Sequence, residues 1–187
     1  KHKLGETPNR FNWQTPVLLS AHNQDILYYG SQRLHRSFDQ GDHWETLSGD
    51  LTQGAKAGNV AYGTLTTISE SPFHFGTIYT GSDDGVVSVT RNAGADWATI
   101  SGNLPQDLWV SRVVASEHNA ARVYVALNAY RGDDFAPYIY LSEDYGQTWE
   151  AIAHNLPLGA VNVIKEDPKQ ASILYVGTDN GVYVRFD

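Results

Sequence analysis

The chain has 187 residues, of which 41% are hydrophobic and 12% aromatic, enough to bury a core and too much for a disordered tail. Its formal net charge of −8 repels a phosphate backbone, and no Lys/Arg cluster offsets it, which excludes nucleic acid as a partner. No cysteine is present, so disulfides, thiolate nucleophiles and Cys-ligated zinc are excluded as well.

No apolar run is long enough to span a bilayer, and the opening KHKLGETPNR has neither an initiator Met nor the apolar stretch of a signal peptide. We therefore expect a longer precursor. Charged residues make up only 18%, while Gly (17), Tyr (11) and Trp (5) are plentiful, a composition of short strands joined by tight turns. The expected class is all-β.

Along the chain, a β-branched and aromatic segment (Ile26 to Gly30) leads to the first of three matching boxes, Ser37-Phe38-Asp39-Gln40-Gly41-Asp42-His43-Trp44. A second segment, Thr77 to Gly81, precedes Thr90-Arg91-Asn92-Ala93-Gly94-Ala95-Asp96-Trp97. A third, Arg122 to Ala126, precedes Ser142-Glu143-Asp144-Tyr145-Gly146-Gln147-Thr148-Trp149. The fourth, Ile173 to Gly177, runs on to Arg185-Phe186-Asp187, the start of a fourth box. The shared pattern is Ser/Thr-x-Asp/Asn-x-Gly-x-x-Trp, and each Trp is followed by a similar tail, TLSGDLT, TISGNLP or AIAHNLP. Self-similarity at this period is the mark of a stacked or radial repeat.

Each unit reads as four short strands, as in the second repeat: Leu65–Ser69, Thr77–Thr80, Val86–Thr90 and Trp97–Ser101. That is one propeller blade. The chain then divides into blades at about 14–52, 63–105, 109–157 and 160–187, the last incomplete, giving about three and a half blades of a β-propeller. In each box the Gly permits positive φ and the Asp or Asn accepts turn N–H groups, so Asp39, Asn92 and Asp144 have a structural role. Trp44, Trp97 and Trp149 then open the outer strands. Full burial of such a ring, roughly 150–250 Å² at about 25 cal/mol/Å², contributes at most about 4–6 kcal/mol.

The three boxes resemble the Asp-box, or bacterial neuraminidase, repeat of sialidases, some xyloglucan-cleaving glycosidases and sortilin-type propellers. The second departs from the pattern with Asn92 for Asp. The stretches Arg10 to Pro16, Leu108 to Val113, Gly132 to Tyr138 and Val161 to Pro168 are similar to bacterial exported proteins labelled glycosyl hydrolase or sortilin-like. The resemblance implies a propeller in an extracellular or periplasmic protein, with a glycan or protein ligand. Enzymes, receptors and assembly factors share this architecture, so function has to be argued from a site.

The loops between second and third strands, and from each fourth strand to the next blade, are expected on the face opposite the boxes, around the central channel. That face gathers Ser82-Asp83-Asp84-Gly85, the insertion Asn128 to Tyr138, Thr178 to Gly181, and the connections around Trp109 and Asn155. The insertion packs two carboxylates, an Arg and three aromatics into eleven residues, a mixture suited to sugars: rings offer apolar faces and charged groups bind hydroxyls. Candidate ligand-binding residues are Trp109, Arg112, Tyr130, Arg131 and Asp134. Glycoside hydrolysis needs two carboxyls flanking one bond. Asp83, Asp84, Asp133, Asp134 and Asp179 are the candidates, although Asp84-Gly85 and Asn180-Gly181 also suit hairpin turns and Asp133 or Asp134 can pair with Arg131.

The seven histidines (His2, His22, His35, His43, His74, His118, His154) have no metal-ligand spacing, and most are expected at the surface. No calcium loop, nucleophile elbow or phosphate- or dinucleotide-binding fingerprint is present, so neither metal nor cofactor is expected. Two readings follow: a non-catalytic module that binds glycan or protein, or part of a glycoside hydrolase. About three and a half blades are too few to close a ring, and pairing of Lys3 to Trp13 with the fourth blade would strain it. We therefore expect a fragment of a larger propeller, completed by more polypeptide or by a second copy through its open edges.

Overall fold

In a computed structural model, the structure describes residues 8–186. The described chain is all-β apart from one 3-10 turn, and its fifteen strands form four antiparallel sheets. The first holds β1 (Val17–Leu19), β2 (Leu27–Gly30), β3 (Leu34–Ser37) and β4 (Glu45–Thr46). The second holds β5 (Leu65–Glu70), β6 (Ile78–Ser82), β7 (Val87–Thr90) and β8 (Ala98–Thr99). The third holds β9 (Trp109–Ala115), β10 (Val123–Asn128), β11 (Tyr138–Ser142) and β12 (Glu150–Ala151), with the 3-10 turn Tyr130–Gly132 between β10 and β11. The fourth has three strands, β13 (Val161–Glu166), β14 (Ile173–Thr178) and β15 (Gly181–Phe186). Every sheet pairs its strands in sequence order, so each is one blade of a partial β-propeller of about three and a half blades.

The outer strands are shorter than the sequence suggests. Only Ala98–Thr99 of the stretch from Trp97 to Ser101 forms a strand, because the chain is pulled away from the sheet on either side. Trp97 reaches back to the first blade, and Ser101 turns toward Leu104. The segment Pro8 to Trp13 does not extend the fourth blade, and residues 3–7 of the proposed closing strand lie outside the described residues. Arg10 instead crosses the first two blades, donating to the Gly63 carbonyl, Asp50 and Thr52.

The core lies between blades. Three apolar slabs alternate with the sheets: Tyr28 and Leu34 against Leu65 and Ile68, then Tyr79, Val87 and Val89 against Val113 and Ala115, then Tyr124 and Ile139 against Ile164 and Val176. Such a blade cannot bury its faces alone, so its neighbours supply most of its stability. Each first strand after β1 also carries a bulge at an equivalent place, Thr66, Ser111 and Asn162. The freed hydroxyls cross to the following blade, Thr66 Oγ1 donating to the Val110 carbonyl at 2.6 Å and Ser111 Oγ to the Val161 carbonyl at 2.7 Å.

The boxes are clasps between blades as well as turns. In each, the Ser or Thr hydroxyl donates to the box Asp or Asn and accepts the Gly N–H (Ser37 to Asp39 at 2.7 Å, Thr90 to Asn92 at 3.0 Å, Ser142 to Asp144 at 2.7 Å). The same acid or amide oxygen accepts the N–H of residue 43, 96 or 148. Two left-handed residues in succession close the turn, Gln40-Gly41, Ala93-Gly94 and Tyr145-Gly146. Trp97 then donates its indole N–H to the Leu47 carbonyl of the first blade, and Trp149 to the Ile100 carbonyl of the second. Trp44 departs from this equivalence: no blade precedes it among the described residues, and its indole bonds the Gly41 carbonyl of its own box.

Candidate functional site

The bulged first strands and the β10–β11 loop meet at the end of the blades opposite the boxes and enclose a cavity of about 580 Å³ on the central channel. Its wall is polar and drawn from all four blades: Gln14, Thr15, Thr66, Thr67, Ser111, Arg112, Asn128, Arg131 and Asn162, with Trp109 and Tyr130 at one side. A second hollow of about 310 Å³ shares Gln14, Trp109 and Arg131 and adds Asn12, Trp13, Val60 and Tyr62. Trp13, absent from the candidates read from sequence, is 88% exposed at this rim. Its signal was present in the family-like stretch Arg10 to Pro16. Tyr62 lies in a long loop with no periodicity to mark it.

Trp109 opens β9 opposite Asn128, the last residue of β10, so the loop that follows returns over the indole. The Arg131 guanidinium carbon sits 4.1 Å from the Trp109 ring centre and 4.7 Å from that of Tyr130. A cation held over aromatic faces at this range is attracted by the ring quadrupole, by about 0.5–1 kcal/mol at an exposed site. Arg131 therefore stacks on rings, and no ion pair with Asp133 or Asp134 is found among the described residues. Arg112, on β9, is exposed into the same channel, and its side chain likewise makes no ion pair or hydrogen bond among them.

A relay fixes the loop from behind. Asp179 accepts from Asn162 Nδ2 at 2.7 Å, Asn162 Oδ1 accepts from Asn128 Nδ2 at 3.0 Å, and Asn128 Oδ1 accepts the Tyr130 N–H at 3.1 Å. Asp134 closes the other side of the loop, accepting from the Ala136 N–H and from the Tyr138 hydroxyl at 2.6 Å. The Tyr138 bond, followed by the backbone one, holds the Asp134 carboxyl below its ordinary range. Asp133 ends the 3-10 turn in a left-handed conformation, φ 59°, with its side chain in solvent.

The five candidate aspartates therefore do not converge. None lines either cavity. Asp83 and Asp84 are 4% and 2% exposed and act as loop clamps. Asp83 accepts from the N–H groups of Gly63 and Thr64 and the Thr64 hydroxyl, and Asp84 from Ser82 Oγ and the Gln53 N–H. Of these partners Gln53, Gly63 and Thr64 lie in the loop leading into β5, which is why the Asp84-Gly85 pair read in sequence only as a turn. Burial pushes the Asp84 carboxyl upward, partly offset by the Ser82 and Gln53 bonds. Asp179 and Asp134 are occupied in the relay and the loop. Asp133 alone of the five makes no side-chain hydrogen bond or ion pair among the described residues, its backbone N–H donating to the Tyr130 carbonyl.

Most of the described histidines lie at the surface, His35 being the buried one, and two of them join blades. His22 Nε2 lies 2.9 Å from the Ser71 carbonyl oxygen and His118 Nε2 2.7 Å from that of Asp167, which makes each nitrogen a donor to the following blade.

No family model matches the chain, and no curated protein matches it. Solved structures do. An ancestral GH74 enzyme superposes with a TM-score of 0.69 at 17% identity, covering 96% of this chain and 23% of the enzyme. A GH74 enzyme from Niastella koreensis gives 0.62 at 16% identity, covering 90% of this chain and 22% of that one. YCF48 bound to D1 peptide gives 0.55 at 13% identity, covering 98% of this chain and 58% of that one. The chain thus spans less than a quarter of these two GH74 enzymes, and at these identities the likeness establishes the propeller fold.

Proposed function

We propose that this part of the propeller is a non-catalytic binding module of an exported bacterial protein, taking a glycan at the channel mouth. The observation that carries the reading is the composition of the mouth: three aromatic rims, Trp13, Tyr62 and Tyr130, two arginines without carboxylate partners, and no aspartate or glutamate in the wall. Rings supply apolar platforms for sugar faces, and guanidinium groups donate in fixed directions to hydroxyls or acidic substituents. Acid–base hydrolysis needs two carboxyls across one bond, and none of the candidate carboxyls lines this mouth. The GH74 neighbours support the propeller fold alone. Their activity is not carried by any residue pair in this mouth.

A glycan array read beside a hydrolysis screen tests the reading. Binding without turnover is expected, and the double variant Arg112→Ala, Arg131→Ala should weaken it at least about tenfold, the loss of one or two charge-assisted hydrogen bonds. Its melting temperature should stay near that of the wild type, because both side chains are exposed. Hydrolysis by the wild type that is abolished by Asp133→Asn or Asp179→Asn would establish the glycosidase reading instead.

A further inference from the structure

Three arginines of this protein are matched by carboxylates. Arg10, Arg36 and Arg122 each hold one at 2.7 Å, those of Asp50, Glu45 and Glu143. Arg112 and Arg131 are not matched, although both are exposed and both line the channel mouth. The sequence carries 21 acidic residues against 13 lysines and arginines, yet no Asp, Glu or Lys lines either hollow there. Two positive charges are thus gathered, without a counter-charge among the described residues, in the concave part of an acidic molecule.

Their placement suits an oxyanion. The rings of Trp109 and Tyr130 take up the flat face of the Arg131 guanidinium, and contact of that kind leaves the N–H edge free for a two-point pair with carboxylate or sulfate oxygens. Arg112 sits deeper. It pairs with Ala126 across the β9–β10 ladder, whereas Trp109 pairs with Asn128, two residues further along β10. Arg112 therefore lies about 7 Å below the lip, so the channel offers one guanidinium at its entrance and another inside.

A neutral sugar would strip water from both cations and return only hydroxyl oxygens. An anionic group returns a counter-charge, and its hydrogen bonds are about twice as strong as neutral ones. Further blades at either end of the arc would extend the ring around the channel and leave its axis to a ligand.

We propose that the mouth selects an acidic glycan, whose carboxylate or sulfate group is taken by Arg112 and Arg131 while the exposed rings of Trp13 and Tyr62 carry sugar faces. Such selection rests on the glycan reading above and adds the charge of the ligand to it.

Titration calorimetry on the full-length protein tests it with four probes: a uronate oligosaccharide, the same oligosaccharide with its carboxyls reduced to alcohols, a sulfated oligosaccharide and a polyglutamate peptide. At least one acidic sugar should bind about tenfold or more tighter than the reduced one, and which of the two does so separates carboxylate from sulfate recognition. The advantage should shrink as salt rises from about 0.05 to 0.5 M. The double variant Arg112→Gln, Arg131→Gln should lose the advantage and keep the weaker affinity common to charged and neutral sugars, with its melting temperature unchanged. Equal binding of acidic and reduced sugars, or an advantage that the double variant retains, would overturn the charge selection and leave the glycan reading standing. A lowered melting temperature of the double variant would overturn it too, because a carboxylate of the protein itself would then be the partner of these arginines. Binding of the peptide but of no sugar, or of no probe at all, would remove the glycan reading and the selection with it.

Discussion

At the scale of single residues, polar groups that look alike in sequence differ in what they do. Asp39 and Asp144 are both held down to about 2, Asp39 chiefly by the His43 backbone N–H and Asp144 chiefly by the Thr148 hydroxyl. A carboxyl whose folded value lies below its unfolded value of about 3.9 stabilises the fold above that value and loses the contribution as pH falls through the folded one. Asn92 fills the same turn without a charge. Asp144→Asn should therefore keep the turn and flatten the loss of stability between about pH 4 and 2, read from urea midpoints across that range; an unchanged acid limb would contradict the assignment. The three equivalent tyrosines should differ in sign. Tyr28→Phe and Tyr124→Phe each remove a bond to a buried carboxylate and should cost about 1.5–3 kcal/mol, whereas Tyr79→Phe removes an unpaired hydroxyl and should be neutral or stabilising by about 1 kcal/mol. Chemical denaturation of the three variants decides it. Burial, with Glu166 beside it, already pushes the Tyr124 hydroxyl up to about 12.

At the scale of the element, the box was the most legible part of the chain, because a turn bonded by its own Ser, Asp and Gly is local chemistry and repeats as letters. Its contact across the blade boundary was not legible, since nothing near Trp97 or Trp149 in sequence names Leu47 or Ile100. The same boundary explains the box glycines. Gly146 has φ of +89°, and an added methyl would press into the Ile100 side chain; Gly41, also left-handed, has its nearest neighbours at 3.6 Å. Both alanine variants meet backbone strain of at least about 1 kcal/mol, and Gly146→Ala adds overpacking of about 1–3 kcal/mol. Equal losses at the two sites, measured by thermal melts, would show that the box does not clasp the preceding blade. The candidate site was legible only in part for a related reason. Trp109, Tyr130 and Arg131 sit together in one loop and one strand end, while Asp83, Asp84 and Asp179 are claimed by partners about 17 to 31 positions away, which no local pattern announces.

At the scale of the molecule, stability is a sum over junctions, so protection should follow how many neighbours a blade has. The strand β10 is buried along its whole length between blades, whereas β15 alternates exposed and partly buried residues. Amide exchange should be slowest in β6 and β10 and fastest in β1 and β15; uniform protection would mean that the arc unfolds as one unit. The junctions alternate: Glu70 of the second blade accepts from Ser20 and Tyr28 of the first, and Glu166 of the fourth from Ser116 and Tyr124 of the third, whereas Ala115 of the third blade meets Tyr79 and Val89 of the second through apolar contact, and this has a consequence of parity. A face built to receive glutamate and a face built to receive alanine cannot trade places, so the blades come in two kinds that must follow each other in turn. Any closed circle that obeys the alternation throughout holds an even number of them. An odd circle would have to contain one seam where two blades of the same kind meet, either with a glutamate lacking its donors or with donors lacking their glutamate, and that seam would be the first place for the ring to open.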